Sequence, residues 1–478
     1  MSSLKKKAIN GILWSAIERF SVQGLRFIVG IILARLLLPY DYGLIGMIAI
    51  FLAISQTFVD SGFSNALIQK KNRNETDYST VFYFNIVIGL FFYFILFLCA
   101  PLIANFYNSP ELTSIIRFVG ITVFISSLSI VQQAKLTIAL DFETQAKASL
   151  YSVIIGGVIG VALAYEGYGV WALVVQSIVQ SGMNTLFLWL FSKWIPKGVF
   201  SIASFKQLFS FGSKLLVAGL LNTIFKNIYF LVIGKLFSAS QLGFYTRALE
   251  FQKFPSENVT GIIHRVTFPV LSSVQDDKKR LEIIFRKFIR LSAFVIFPMM
   301  IGLAVVAEPL ISLILTEKWM SVVPLLQLLC ISGMLYPLHA ININILNVKG
   351  RSDLVLKLEV IKKIIIVIAI LITFSFGIKA LIIGQIFTSI IAFFINTHYS
   401  EKMVNYGPWK QIKDVVPVIL ITLFMALGVW TAMLIVDNDA LKLLIGVVVG
   451  IIIYILVARI GNFSELKEII SLLNKQKQ

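Results

Sequence analysis

Apolar runs of roughly twenty residues, separated by Pro, Gly, Asn and clustered charge, recur from one end of the chain to the other. Twenty apolar residues in helical conformation are about the length that crosses a bilayer. Breaking the chain at those punctuation points predicts fourteen spans. The first seven are Gly11–Leu36, Gly43–Ile68, Thr80–Ala104, Leu112–Leu136, Ser149–Tyr165, Val170–Phe191 and Leu208–Ile233. The other seven are Leu242–His264, Phe285–Ala307, Val322–Val348, Leu356–Phe376, Ile378–Tyr399, Val415–Val436 and Leu441–Ile460. The pattern is that of an all-α integral membrane protein. Composition agrees: 58% of the 478 residues are hydrophobic and 14% charged, where a soluble domain carries about 25% charged residues.

The net charge of +18 does not signal nucleic acid, because the cations lie between apolar runs and not on one water-exposed face. Assigned to alternate loops, thirty Lys and Arg fall on one side of the membrane and four on the other. Lysine-rich and arginine-rich short loops stay in the cytoplasm. The predicted topology therefore has both termini cytoplasmic, and the basic side faces anionic lipid headgroups. The opening Lys5-Lys6-Lys7 resembles a signal peptide, but charges interrupt the following run and no small-residue cleavage site follows. It is expected to remain as the first span. No loop is long enough for a catalytic domain, and no phosphate-binding G-x-x-x-x-G-K-[ST] motif occurs. Cys99 and Cys330 are isolated in apolar stretches, so a metal site is not expected.

Sliding the chain against itself produces a match at an offset of 200. Ala34-Arg35-Leu36-Leu37 faces Gly234-Lys235-Leu236-Phe237, Gly43 faces Gly243, and Arg26 faces Lys226. This predicts two pseudo-symmetric six-helix lobes, 1–200 and 201–400, with two further spans and a tail in 401–478. Transporters built from repeats commonly bind substrate near the membrane midplane at the repeat interface.

Charges inside spans are costly, about 2.5–3.5 kcal/mol at the bilayer centre, and normally face water or a partner. On the first span Ser15, Arg19, Gln23, Arg26 and Gly30 fall within about 80° at about 100° per residue, forming a polar stripe. Lys214, Asn222 and Lys226 make a broader one on the seventh. Arg35, Arg117, Lys214 and Arg247 are near enough to span ends to snorkel; Arg19, Arg26 and Lys226 are deeper. The eighth span carries Arg247, Glu250, Lys253, Glu257 and Asn258, with Pro255 expected to kink or unwind it. It must be shielded from lipid, and Arg247–Glu250 and Glu250–Lys253 can pair on the helix. Two readings stay open, a self-paired structural helix and a hydrophilic wall of a transport path. Asp60 suits a helix-end cap or ion-pair partner better than a coupling carboxylate, and His264, His339 and His398 are read as structural. Together Arg19, Arg26 and Lys226, supplemented by Arg117, Arg247 and Lys253, suit an anionic substrate such as a diphosphate.

Arg35-Leu-Leu-Leu-Pro39-Tyr-Asp41-Tyr-Gly43-Leu, Asp60-Ser-Gly62-Phe, Ala66-Leu-Ile-Gln69, Leu242-Gly-Phe-Tyr245 and Phe268-Pro269-Val-Leu271-Ser272 resemble the patterns of Wzx-type polysaccharide exporters. The similarity is greatest to the colanic acid and teichuronic acid exporters of the multidrug/oligosaccharidyl-lipid/polysaccharide flippase superfamily. The resemblance implies a non-enzymatic, fourteen-helix alternating-access flippase of the bacterial inner membrane. Its implied substrates are polyprenyl-diphosphate-linked oligosaccharides, its partners membrane lipids and a polysaccharide polymerase machinery. It implies no bound cofactor, and coupling to a proton or sodium gradient, for which Asp60, Glu250 and Glu257 are weak candidates. Two alternatives are a small-molecule (multidrug) antiporter of the same fold, which would favour acidic cavity residues, and a membrane glycosyltransferase or polymerase. The latter rests on Asp437-Asn438-Asp439, a D-x-D spacing in a short loop assigned to the outside, where it reads as a polar turn.

Overall fold

The computed structural model describes residues 21–60 and 62–475. Among them every regular element is a helix. Residues 21–36 form α1, and α2 is Pro39–Asp60, α3 Phe63–Gln69, α4 Glu75–Tyr107, α5 Leu112–Val119, α6 Ile121–Ser127 and α7 Ile130–Ile138. Then follow α8 Phe142–Tyr165, α9 Val170–Ser192, α10 Ile202–Leu236, α11 Ala239–Ser273, α12 Lys278–Val305 and α13 Ala307–Leu315. The last six are α14 Val322–Val348, α15 Ser352–Thr373, α16 Ile378–Val404, α17 Pro408–Met433, α18 Asp439–Ile460 and α19 Ser464–Lys475.

Eleven candidate spans among the described residues are long and apolar enough to cross a membrane. The remaining three expected spans coincide with α1, with α11, and with α15, whose first half carries Lys357, Glu359, Lys362 and Lys363. The fourth span is jointed, as α5, α6 and α7. Hydroxyls explain the joints: Thr122 Oγ1 donates to the Val119 carbonyl, Ser127 to Phe124 and Ser129 to Ser126. Each bond competes with the backbone ladder at a break. Conversely, α11 does not unwind at Pro255 as expected; it stays helical through both Pro255 and Pro269. Asn258 Nδ2 donates to the Phe254 carbonyl at 2.7 Å, just past the proline.

Packing divides the chain into residues 1–243 and 244–478, a division by contact that does not address the six-helix repeat. In the first unit, α8 pairs with α9, and α2 packs against α10 and α4. Loops expected on the same side meet: Glu75 accepts from Trp194 Nε1 at 2.8 Å and Lys135 Nζ at 3.2 Å, and Lys135 lies over the Tyr78 ring. At the opposite helix ends Lys235 Nζ donates to the Phe106 carbonyl and lies 4.6 Å from that ring's centre. In the second unit, α14 packs against α12 and α16, and α17 against α12 and α18. There Arg286 grips Asp414 through two bonds of 2.5 and 2.6 Å, Arg290 pairs with Glu465 and Lys287 with Glu468. Lys135 in the first unit, and Arg286, Lys287 and Arg290 in the second, belong to the thirty-cation set and mark one end of each unit, called the basic end below.

The 200-residue offset reappears as geometry inside the first unit. α1 and α10 end at 36 and 236, two non-helical residues follow each, and α2 and α11 begin at 39 and 239. The two starts are capped by complementary halves of one capping box. The Leu38 amide donates to the Asp41 carboxylate at 2.8 Å, whereas the Ser238 hydroxyl accepts from the Gln241 amide at 3.2 Å. Pro39 occupies the first helical position, where its missing N–H is harmless. The starts then cross in backbone contact. A Cβ on Gly43 would lie 1.8 Å from the Ala239 carbonyl oxygen, and one on Gly243 would lie 1.9 Å from that of Pro39. The contact is reciprocal, since Pro39 and Gly43 become Ala239 and Gly243 on adding 200. Only glycine permits this approach.

Gly43→Val and Gly243→Val are each expected to destabilise the protein by about 1–3 kcal/mol or more through overpacking. Gly182→Val, where nothing lies within 4 Å of the added Cβ, is the control. Thermal unfolding in detergent checks this: the first two melt well below the control, and equal melting temperatures would refute the crossing.

Candidate functional site

The deep cations fall at matching depths. Arg26 lies ten residues before the end of α1 and Lys226 ten before the end of α10. At about 1.5 Å per residue this is about 15 Å, half the thickness of a hydrocarbon core of about 30 Å. Both side chains are exposed, as are Lys214 and Asn222 of the same α10 stripe. An exposed charge at that depth requires water or an ionic partner, because lipid tails offer neither. α10 is also polar beside this face: Thr223 and Thr57 share a 2.9 Å hydroxyl contact, and Asn227 donates to the Thr223 carbonyl. Arg19, with Ser15, lies outside the described residues.

The remaining candidates lie elsewhere on the helices. Arg117 sits 4.5 Å from the centre of the Phe97 ring, half-buried, a cation–π contact that fixes it against α4. Arg247 is buried, 5% exposed, and pairs with Glu250 at 2.5 Å, as the i,i+3 spacing predicted. Lys253 and Glu257 are half-buried. Gln252, Ser256, Asn258 and Thr260 on the same helix are buried with Arg247, so protein and not lipid surrounds this side of α11. Asp60 is exposed at the end of α2 and accepts from Gln56 at 3.2 Å, the helix-end role expected of it. Among the described residues no group of three or more His, Cys, Asp or Glu is placed to hold a metal.

Two features of the second unit were not anticipated. One is an apolar groove of about 470 Å³ lined by Met299, Gly302, Met425, Val429, Gly450 and Ile455. Met299 and Ile455 are exposed, so the groove borders the lipid-facing surface. Its dimensions and lining suit a hydrocarbon chain. The other is a polar network through α14, α16 and α17. Asn342 and Gln411, both buried, exchange amide bonds of 3.0 and 2.9 Å, and Gln411 also donates to the Tyr406 carbonyl. Tyr406 OH donates to Asp414 at 2.6 Å, and burial with that bond pushes the phenol's pKa up. His339, read from the sequence as structural, belongs to the network and lies within α14. The spacing His339-x-x-Asn342-x-Asn344, facing Asn396 and Ser400, was its signal. An isolated apolar helix has no reason to carry it.

A family profile described as polysaccharide biosynthesis protein matches residues 32–324. Lipopolysaccharide biosynthesis protein WzxC of Escherichia coli is 28% identical over 400 residues, 82% of this chain and 81% of that protein. Teichuronic acid biosynthesis protein TuaB of Bacillus subtilis is 28% identical over 356 residues, 74% of each chain. In fold, the chain is similar to lipid II flippase MurJ in an inward closed conformation. The TM-score is 0.77 at 17% identity, covering 94% of this chain and 99% of that one.

Replacing Glu250 by Ala takes the carboxylate from buried Arg247. A fully buried pair would lose about 3–5 kcal/mol, but the Glu250 side chain is 39% exposed, so about 1–3 kcal/mol is expected. Arg247→Met combined with Glu250→Met should recover most of it. Thermal denaturation of wild type and the two variants decides; a double variant no better than Glu250→Ala would contradict the pairing.

Proposed function

Because this chain belongs to the polysaccharide biosynthesis protein family, a family of multi-pass membrane proteins in which its relatives are named for cell-surface polysaccharide synthesis, we propose that it is a flippase. The substrate is a polyprenyl-diphosphate-linked oligosaccharide, moved from the cytoplasmic to the periplasmic leaflet of the bacterial inner membrane by alternating access. The observation that carries this reading is the pair of repeat-related cations, Arg26 and Lys226, exposed at midplane depth. A guanidinium binds two phosphate oxygens at once and stays charged when partly desolvated, while an ammonium adds a point charge. Arg19 belongs to the same stripe by spacing. The diphosphate head contacts these residues, the glycan occupies the adjoining water, and the prenyl chain stays in lipid.

The basic ends, and with them both termini, face the cytoplasm. Transport is non-catalytic and needs no bound cofactor; a proton or sodium gradient drives it, and the polysaccharide polymerase machinery receives the product. The antiporter alternative is disfavoured by charge, because cations at the midplane repel a cationic drug. Asp60, exposed and hydrogen-bonded to Gln56, and Glu250, paired with Arg247, are poorly placed to carry a coupling ion.

Loss of a charge-assisted hydrogen bond costs about 1.5–3 kcal/mol. Arg26→Ala and Lys226→Ala should therefore lower glycan export about ten- to a hundred-fold while the protein inserts normally. Lectin staining of surface glycan, with lipid-linked intermediates extracted and quantified, reads this out. Full export by either variant would refute the assignment, and unchanged glycan with altered sensitivity to cationic compounds on depletion would favour the antiporter.

A further inference from the structure

We propose that His339 is a proton-binding site whose occupancy loosens the packing of α14 against α16. This rests on the transport reading for its purpose, since it names the group and the ion that would couple the cycle, but its chemistry stands apart from the substrate. His339 lies nine residues before the end of α14, about 14 Å from the basic end, at a depth where an ionisable side chain demands a reason. Both ring nitrogens are engaged by α16. Asn396 Nδ2 meets Nδ1 at 3.2 Å, and Ser389 Oγ meets Nε2 at 3.0 Å. An amide nitrogen only donates, so Nδ1 accepts and Nε2 carries the single ring hydrogen, donated to Ser389. The imidazole in this arrangement is neutral.

Asn396 supplies the second observation. Its side chain is buried, 0% exposed, and its Oδ1 has no hydrogen-bond partner. A buried amide with its acceptor idle is costly to maintain. A half-turn of that amide brings Oδ1 to Nδ1 and supplies the acceptor that an added Nδ1–H requires. One proton taken from water is then stored on Nδ1, the Asn396 Nδ2–H···Nδ1 bond is exchanged for an Nδ1–H···Oδ1 bond, and the ring becomes a cation with both N–H groups satisfied.

The surroundings make that cation costly in the present packing. From α15, Lys362 acts on the ring, itself ion-paired to Glu359. From α16 come only neutral groups, Ser389 and Asn396; His398 on that helix is exposed and stacks edge-on against Tyr399. From α17 and α12 the charged groups are Asp414 and Arg286, paired with each other and reached only through intervening bonds. Ser400 donates to the Asn396 carbonyl at 3.2 Å and to that of Asn342 at 3.4 Å, and Asn342 leads through Gln411 and Tyr406 to Asp414. With no carboxylate facing the ring from any of these helices, its positive charge favours an arrangement in which α14 and α16 separate and water enters. A ligand shifts a conformational equilibrium by its differential affinity for the two states, and the proton is that ligand. The neutral packing holds at high pH and is lost as pH falls through the titration of the ring.

Hydrogen–deuterium exchange of the full chain in nanodiscs, corrected for intrinsic exchange rates and followed from about pH 8 to about pH 5, tests this without any substrate. Wild type should lose protection in 336–348 and 389–400 roughly tenfold below about pH 6.5. His339→Gln should abolish that response, and Asn396→Leu, which removes the oxygen that would satisfy the protonated ring in the closed packing, should enlarge it severalfold. A wild-type profile that is flat with pH, or a His339→Gln profile that matches wild type, overturns the proposal. pH-linked protection in a protein whose depletion leaves surface glycan unchanged retires the flippase reading and leaves the proton site standing. Glycan export with no pH-linked protection does the reverse.

Discussion

The crossing of α2 and α11 at Gly43 and Gly243 is the contact on which the rest of the first unit depends. Helices in a bilayer gain no hydrophobic driving force from touching one another, so close backbone approach between small residues does much of the work. Here two glycines, two helix caps and two interhelical breaks recur at the same offset and meet reciprocally. The crossing fixes where α1 and α10 end. It therefore fixes that Arg26 and Lys226, each ten residues back along its helix, stand at the same depth. The equal spacing of Arg26 and Lys226 from the turn is a consequence of the repeat.

The second unit solves a different problem, that of polar groups held among lipid-facing helices. α11 carries Arg247, Gln252, Ser256 and Asn258, and all are buried against protein. α14, α16 and α17 join through the paired amides of Asn342 and Gln411, with Tyr406, Asp414 and Arg286 closing the network at the basic end. Such a network costs stability wherever a member lacks a partner. The idle oxygen of Asn396 beside His339 is one of the points at which the second unit departs from full satisfaction, with Asn344 Nδ2 and Gln385 Oε1 among the others.

What the sequence revealed follows from what is periodic or local. Apolar run length located the helices, because a bilayer demands both length and hydrophobicity. The 200-residue repeat was visible at Gly43 and Gly243 because only glycine serves there, and the Arg247–Glu250 pair because i,i+3 neighbours meet on any helix. The joints of α5, α6 and α7 escaped notice, since serine and threonine break a helix only when their hydroxyls turn back on the preceding carbonyls. The continuity of α11 through Pro255 escaped for the opposite reason: the protein packed around α11 holds it helical through the proline. The network at His339 joins residues fifty or more positions apart; the polar spacing on α14 hints at a partner, but single-helix patterning does not say which.

Alternating access for a diphosphate-headed lipid makes one demand above the others, that the exposed midplane cations recognise the diphosphate itself. The most direct measurement is equilibrium binding of a short-chain polyprenyl diphosphate to the purified chain in nanodiscs, with the matching prenol as competitor and ionic strength varied. The account predicts saturable binding that weakens as salt rises and is untouched by the prenol, because charge on Arg26 and Lys226 supplies the affinity. Binding that ignores salt and yields equally to the uncharged prenol would contradict it.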